Sequence, residues 1–449
     1  MFAVKDNIFV GYSNGRIVLI PSNSTLSAPI KYLSEGSSIL LCSIINEKDY
    51  RKTLQTIFSM MDHNELDNQI QKLLDELKPY LCEKQKEVRI NFEKLEKSKS
   101  NEDAVNESFF RLDYPVKLVV IPTWRCNREC AYCGVPKIKP DCSEIHIEPQ
   151  LLLTRLLDAV ANGVQGIVYH GGEPIFFYEE LFNQIYELRQ KNIQIQLSTK
   201  NYISETLANR LASVDLPQLQ LSIDTVDPLL SKHLYNDEAY AQRLAESVKN
   251  LFNAGIKVRV NTVLSKLNYR GISDLLFYLN DLNITEVEIS NYRCGSINDA
   301  KLELSKDEWA WLHHSMLKNQ SKWNFSNLIY SPFGNSIPPA AQRPICESGR
   351  LGFLFLPNGD GCYCDFLSEK AEFRVGNLNE QSVGEIWRNS KLVDMAYPSK
   401  VLFKNDVICT NCNEFKYCVD RGFCFVKTDG IYKSDKKCQE CYLMEEQQC

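Results

Sequence analysis

Apolar and polar positions along this chain change rhythm three times. Residues 1–82 open with two strand-like runs, Asn7–Tyr12 and Arg16–Ile20, separated by Ser13-Asn14-Gly15. That arrangement predicts a β-hairpin with a tight turn. Three helix-like stretches follow, at Leu26–Ser34, Lys48–Met61 and Asn64–Lys78, the last stopped by Pro79. In the last of them Leu66, Ile70, Leu73, Leu74 and Leu77 recur at helical spacing. A hairpin followed by helices leaves an exposed sheet edge with a helical groove beside it. Residues 83–113 are rich in Lys and Glu and poor in periodic apolar positions, as a linker would be.

From residue 114 the rhythm becomes strand, helix, strand. Strand-like runs fall at Val116–Ile121, Gly166–His170, Gln194–Ser198, Gln218–Ile223, Lys257–Val263 and Glu286–Ser290. Amphipathic stretches such as Gln150–Ala161, Tyr178–Gln190 and Ala239–Ala254 lie between them. Six βα units predict an α/β fold with a parallel sheet, curled or closed, and chemistry at the C-terminal strand ends. This region extends to about residue 335. Residues 340–449 then lack long periodic segments and are dense in Cys, Gly and aromatics, which predicts a small domain organised by metal.

Composition narrows the class. Charged residues make up 24% and the net charge is −6 without a long basic run, so a nucleic-acid partner is not indicated. No apolar stretch is long enough to span a bilayer and the first residues carry no signal-peptide pattern, so a cytoplasmic protein is expected. In that compartment the 17 cysteines are not to be read as disulfides. Ten of them fall between Cys346 and Cys449 and three more form the run Cys126, Cys130, Cys133. Such clustering favours metal chemistry, whereas Cys42, Cys82, Cys142 and Cys294 read as isolated thiols and Cys449 as a spare one.

The run Cys-x3-Cys-x2-Cys follows the first strand of the repeating region. Three thiolates on one loop can hold three irons of a [4Fe–4S] cube, which normally takes four cysteines, and leave one iron open. A zinc site, which favours paired Cys-x2-Cys spacings, and an incidental group of thiols are the alternatives. The second strand ends in Tyr169-His170-Gly171-Gly172-Glu173-Pro174, where two glycines permit close backbone approach and a carboxylate can receive an ammonium group. Ser222 and Asp224 end the fourth strand, Thr199 the third, and Asn261 lies on the fifth. Residues at such strand ends also serve as helix N-caps. His170 reads as a satisfied strand-end histidine.

The triplet, with Tyr132 before its last cysteine, resembles the signature loop of the radical S-adenosylmethionine (SAM) superfamily. That resemblance implies a partial (β/α)6 TIM barrel whose open iron binds the amino and carboxylate groups of SAM. One electron would split SAM to methionine and a 5′-deoxyadenosyl radical, which abstracts an unactivated hydrogen. It further implies that Tyr132 packs by the adenine and that Gly171, Gly172 and Glu173 hold the SAM amino group. Ser222, Asp224 and Asn261 would contact the ribose, carboxylate or methionine. Arg259, Asn291 and Arg293 are plausible substrate-facing positions.

The C-terminal region resembles a SPASM domain, the auxiliary-cluster module of radical SAM peptide-modifying enzymes. Cys346, twelve residues, Gly359, four residues, Cys364 match its opening, and Cys409, Cys412, Cys418 match its Cys-x2-Cys-x5-Cys block. After Cys418 the chain departs from the pattern, with Cys424 next and Cys438 and Cys441 following. The resemblance implies two auxiliary [4Fe–4S] clusters. One would take Cys346, Cys364, Cys424 and the available Cys362, and the other Cys409, Cys412, Cys418 and Cys441 or Cys438. Asp365 stands where some relatives place an acid that accepts a substrate proton.

Residues 1–82 resemble the winged-helix-like precursor-recognition element of enzymes that modify ribosomally made peptides. Such an element binds a leader peptide as an added strand, here on hairpin 7–20 beside helix 64–78. Together these resemblances imply a radical SAM peptide maturase forming an oxidative C–C, thioether or ether crosslink, served by a flavodoxin- or ferredoxin-like electron donor. Alternatives are sulfatase-type oxidation of Cys or Ser, oxidation of a small molecule, and a cluster-bearing peptide-binding or electron-transfer protein that does not cleave SAM.

Overall fold

The computed structural model describes residues 2–22, 30–46, 50–83, 90, 93, 95, 111–133, 143–292, 300–330, 346–428 and 430–434. The chain forms two compact units, Met1–Val116 and Lys117–Cys449.

In the first unit β1 (Phe2–Val4) pairs antiparallel with β5 (Leu81–Glu83), and β2 (Ile8–Ser13), β3 (Arg16–Pro21) and β4 (Lys31–Tyr32) form an antiparallel sheet in that order. Asn14 and Gly15, with φ of 45° and 70°, make the tight hairpin turn that their sequence predicts. Helices Glu35–Asn46, Tyr50–Ile57 and His63–Leu77 follow, the last capped by Asp62, whose carboxylate accepts from the amides of Asn64 and Glu65. Leu66, Ile70, Leu73 and Leu77 enter the core as the periodicity predicts. The helix expected at Leu26–Ser34 is not there: residues 31–32 are strand and the helix begins at Glu35, while 23–29 lie outside the described residues. Its run Leu40–Ile45 is buried at every position, so no amphipathic stripe marked it. Ile90 and Leu95 are buried in this core and Leu112 is buried too, so part of the expected linker belongs to the unit.

The second unit is built on a ten-stranded sheet. Six parallel strands stand in chain order: β6 (Lys117–Val120), β7 (Gly166–Tyr169), β8 (Gln194–Thr199), β9 (Gln218–Ser222), β10 (Lys257–Leu264) and β11 (Glu286–Asn291). These are the six strands that the sequence predicts. A seventh, β12 (Asn327–Tyr330), extends one side. On the other side β13 (Gly352–Phe355) pairs parallel with β6, followed by antiparallel β14 (Asp360–Cys362) and β15 (Arg374–Asn377). The Cys-rich region therefore continues the barrel sheet. It also has a core of its own: the rings of Phe403, Phe415, Phe423, Phe425 and Tyr432 pack edge-on or tilted, with centroids 5.0–5.8 Å apart.

Burial alternates strictly along β8, β9 and the first five residues of β11. Ile195, Leu197, Leu219, Leu221, Val287 and Ile289 are buried, whereas Gln196, Ser198, Gln220, Ser222, Glu288 and Ser290 are half-buried. A parallel sheet covered on both faces reads as nearly continuous apolar runs. Polar residues at every second position instead mark the inner face of an open barrel that admits polar cargo. On that face Gln196 Nε2 donates to Gln220 Oε1 (3.0 Å), Gln220 Nε2 to Ser198 Oγ (2.8 Å) and Ser290 Oγ to Asn261 Oδ1 (2.7 Å), and Arg259 pairs with Glu288.

Candidate active site

The cysteine loop leaves the C-terminal end of β6 and is braced before it reaches Cys126. Glu144, its side chain 3% exposed, accepts from the Trp124 amide at 2.6 Å and from the Thr123 hydroxyl at 2.5 Å. The glycine turn after β7 then closes on the same backbone. Gly172 N–H donates to Thr123 O (3.1 Å) and Glu173 N–H to Arg125 O (2.7 Å). A Cβ at Gly172 would lie 2.5 Å from Arg125 O and 2.6 Å from Trp124 C, and one at Gly171, where φ is +125°, would meet Ile121 at 2.3 Å. The glycines therefore serve the packing of two loops against each other.

Within the loop the Arg128 amide donates to Cys126 Sγ at 3.4 Å, and Cys133 N–H bonds Cys130 O. Burial pushes the Cys126 thiol up to about 11, so deprotonation there requires a metal. Among the described residues no three His, Cys, Asp or Glu side chains converge as ligands of one ion would. A cubane takes its thiolates on different irons, so three partly exposed cysteines on one braced loop fit it as a donor set.

Glu173 is 1% exposed and ties this loop to the end of β8. Its carboxylate accepts from Thr199 Oγ1 (2.8 Å), the Lys200 amide (3.2 Å) and the Ile175 amide (3.3 Å), which leaves one of about four lone-pair sites for an ammonium. Burial raises its pKa to about 7 against those hydrogen bonds. The folded state therefore holds this proton more tightly than the unfolded one, and stability falls as pH rises from the ordinary 4.5 to about 7. In cluster-free protein, denaturant titrations at about pH 5 and about pH 8 should show a drop about 3 kcal/mol larger for wild type than for Glu173→Gln. Equal drops would mean that burial imposes no such penalty.

Asp224 is the hub of the opposite wall. Its Oδ2 accepts from Tyr132, from Tyr235 at 2.5 Å and from Lys200 Nζ at 2.8 Å, and its Oδ1 from the Val263 amide at 2.6 Å. Fully occupied and 1% exposed, it positions Tyr132 rather than presenting a free oxygen. Ser222 and Asn261 keep half-buried positions on the inner face. Arg128 pairs with Asp237 at 2.6 Å and lies 4.9 Å from the Tyr240 ring centroid. Burial of Asp237 opposes its charge, but bonds from Arg128 and Arg243 prevail and hold it below its ordinary value.

Of the other cysteines, Cys346, Cys364 and Cys424 lie near enough to buried Tyr363 to add to the rise in its pKa that burial causes, and Cys346 Cβ is 2.5 Å from where a Cβ at Gly422 would stand. Cys362 contacts Arg374 NH1 (3.3 Å) and donates to Cys364 O (3.4 Å). Cys409 and Cys412 belong to the turn around helix Val407–Asn411, capped by Asp406, and Cys418 to helix Phe415–Arg421. Cys438, Cys441 and Arg293 lie outside the described residues. Asp365, His170, Lys117, Tyr363 and Cys364 line a cavity of about 130 Å³ beside β6 and β13. Burial lowers the His170 pKa, with Asp365 opposing it.

Sequence reading missed Glu144, Lys200, Arg128 and Asp237, whose roles arise only from tertiary pairing. The alternating polar residues of β8, β9 and β11 were the available signal for the inner face.

Residues 120–279 match the radical SAM superfamily, and residues 346–413 match SPASM, an iron–sulfur cluster-binding domain. The chain is 24% identical over 302 residues to a GTP 3′,8-cyclase of Aquifex aeolicus, covering 63% of this chain and 92% of that one. It is 22% identical over 214 residues to a probable GTP 3′,8-cyclase of Methanococcus aeolicus, covering 45% and 70%. Its fold is similar to Streptococcus suis SuiB bound to precursor peptide SuiA (TM-score 0.72, 19% identity, 98% of this chain and 100% of that one). It is also similar to native anSMEcpe with bound AdoMet (TM-score 0.52, 18% identity, 74% and 96%). The chain thus carries a radical SAM domain and a SPASM domain on a partial TIM barrel. It is an enzyme that uses a [4Fe–4S] cluster, SAM and auxiliary iron–sulfur clusters. Among the described residues no helix is long and apolar enough to cross a membrane.

Proposed function

We propose that this enzyme modifies a ribosomally made precursor peptide, binding its leader on the first unit and closing an oxidative crosslink in its core segment. When bound, the cluster and SAM supply the initiating chemistry, a 5′-deoxyadenosyl radical that takes a hydrogen atom from the substrate. Cys126, Cys130 and Cys133 would hold the cluster. Glu173 and the backbone of Gly171 and Gly172 would receive the SAM ammonium, with Ser222 and Asn261 further along the inner face. Asp224 would act through Tyr132. Two auxiliary clusters would draw on Cys346, Cys364 and Cys424 and on Cys409, Cys412 and Cys418.

A crosslink removes two hydrogens from the peptide. One leaves as an atom and the other as a proton and an electron. Asp365 faces the cavity beside β6 and β13 and would hold that proton. Its neighbour Cys364 would hold the group that takes the electron.

The observation that carries the peptide assignment is the N-terminal sheet, in which, among the described residues, no further strand pairs with β4. The outer edge of β2 is covered: Asp113 N–H donates to Tyr12 O at 2.9 Å, Ser13 Oγ to Arg111 O at 2.6 Å, and Leu112 packs on Gly11. The edge left for a leader is therefore β4, next to helix His63–Leu77 through the Lys31–Glu76 ion pair. A leader strand added there would gain main-chain bonds, and Tyr32, 37% exposed, offers an apolar contact.

The test is anaerobic turnover of a leader-bearing precursor with SAM and a reductant. The expected product lacks two hydrogens, and a core peptide without its leader should react poorly. Tyr32→Ala removes that exposed ring from β4 and should weaken leader binding about tenfold, about 1.4 kcal/mol, with SAM cleavage unaltered. Equal processing of both peptides would overturn the assignment.

A further inference from the structure

We propose that Lys200 tunes the redox balance of the cysteine loop: its ammonium, fixed beside Tyr132, favours the reduced form of the cluster that Cys126, Cys130 and Cys133 would hold. The inference rests on the iron–sulfur reading of that triplet and adds a role for a residue outside it.

Lys200 is the first residue after β8, and its side chain is only 13% exposed. Burying an ammonium is costly unless it is paired and hydrogen-bonded. Here Nζ donates to Asp224 Oδ2 at 2.8 Å and to the hydroxyl of Tyr132, the residue between Ala131 and Cys133. It also lies 4.4 Å from the Tyr235 ring centroid and 5.1 Å from that of Tyr132, both favourable to a cation. The backbone is fixed as well: the Lys200 amide donates to Glu173 and its carbonyl accepts from Arg128 NH2 at 3.4 Å. Burial would lower its pKa, but Asp224 and then Cys130 and Cys133 outweigh this and raise it, so the charge persists at neutral pH.

A purely packing role would not need a charge, since a buried ion pair is often no more stabilising than apolar residues of similar volume. A fixed cation held on Tyr132, the residue before Cys133, has a definite electrical consequence. Reduction adds one negative charge to the cluster, and net local charge is among the factors that set its potential. Lys200 therefore shifts the balance toward reduction, and Asp224 partly cancels it. The two residues must act with opposite sign.

The experiment is a redox titration of reconstituted full-length protein, followed by the EPR signal that changes when SAM is added, which isolates the open-iron cluster from the auxiliary ones. In Lys200→Met the reduced-to-oxidised ratio at a fixed potential should fall about tenfold, a shift of about 59 mV for one electron. Asp224→Asn should raise it, and Lys200→Arg should stay near wild type. Loss of the cluster in Lys200→Met alone would leave the decision to the other two variants. An unchanged midpoint in a cluster-loaded Lys200→Met, or shifts of the same sign in Lys200→Met and Asp224→Asn, would overturn the proposal. Wild-type protein with iron but no SAM-responsive signal would overturn the reading of the triplet, and this inference with it.

Discussion

Replacing Cys130 by alanine is expected to abolish SAM-dependent formation of 5′-deoxyadenosine while the protein still folds. Three cubes would bring about twelve irons per chain, and the variant should hold about eight. The loop owes its shape to contacts that the substitution leaves intact: Glu144 on Trp124 and Thr123, and the Gly172 and Glu173 amides on Thr123 and Arg125. What the variant loses is one of three thiolates in a set with no spare. Burial holds Cys126 near 11, so its thiol has little tendency to ionise without iron. Cys418→Ala should behave differently, losing iron from the auxiliary region and retaining 5′-deoxyadenosine formation. Iron analysis and quantified 5′-deoxyadenosine separate the two. Undiminished SAM cleavage by Cys130→Ala would remove the triplet from the mechanism.

Much of this arrangement could be read in the chain because it is local. All six predicted strands of the repeat occur, since each is a short run whose neighbours are turn-forming or amphipathic. The order of cysteine loop and glycine turn, one βα unit apart, places both at the same end of adjacent strands. What local pattern conveys less well is why those glycines are needed. Ligand approach was the expectation, and the structure adds the backbone of Trp124 and Arg125, which only a folded sheet brings near. Asp224 shows the same limit. As a strand-end carboxylate it reads as a cofactor contact, but Tyr132, Lys200 and Val263 arrive from three distant segments and, with Tyr235 of the following helix, occupy it. Likewise β13 carries no mark that it will pair with β6, because parallel pairing across more than two hundred residues is a property of the assembled sheet.

Gly172→Ala should be strongly damaging to the site. The added carbon would stand 2.5–2.7 Å from three backbone atoms of Trp124 and Arg125, which cannot swing aside as a side chain would. Relief requires moving the loop itself, one residue ahead of Cys126, and stretching the Gly172–Thr123 and Glu173–Arg125 hydrogen bonds. Overpacking of this kind costs about 1–3 kcal/mol. A displacement on the order of 1 Å at the reacting groups costs about 10²-fold in rate. The expected result is a folded protein with reduced thermal stability, lower iron loading and SAM cleavage down about 10²-fold. Gly36→Ala is the matched control. It lies in the helix Glu35–Asn46 with nothing within 4 Å of the new carbon, and should leave SAM cleavage unchanged and stability level or improved. Equal behaviour of the two variants would show that the contact between the glycine turn and the cysteine loop does not set the site's geometry.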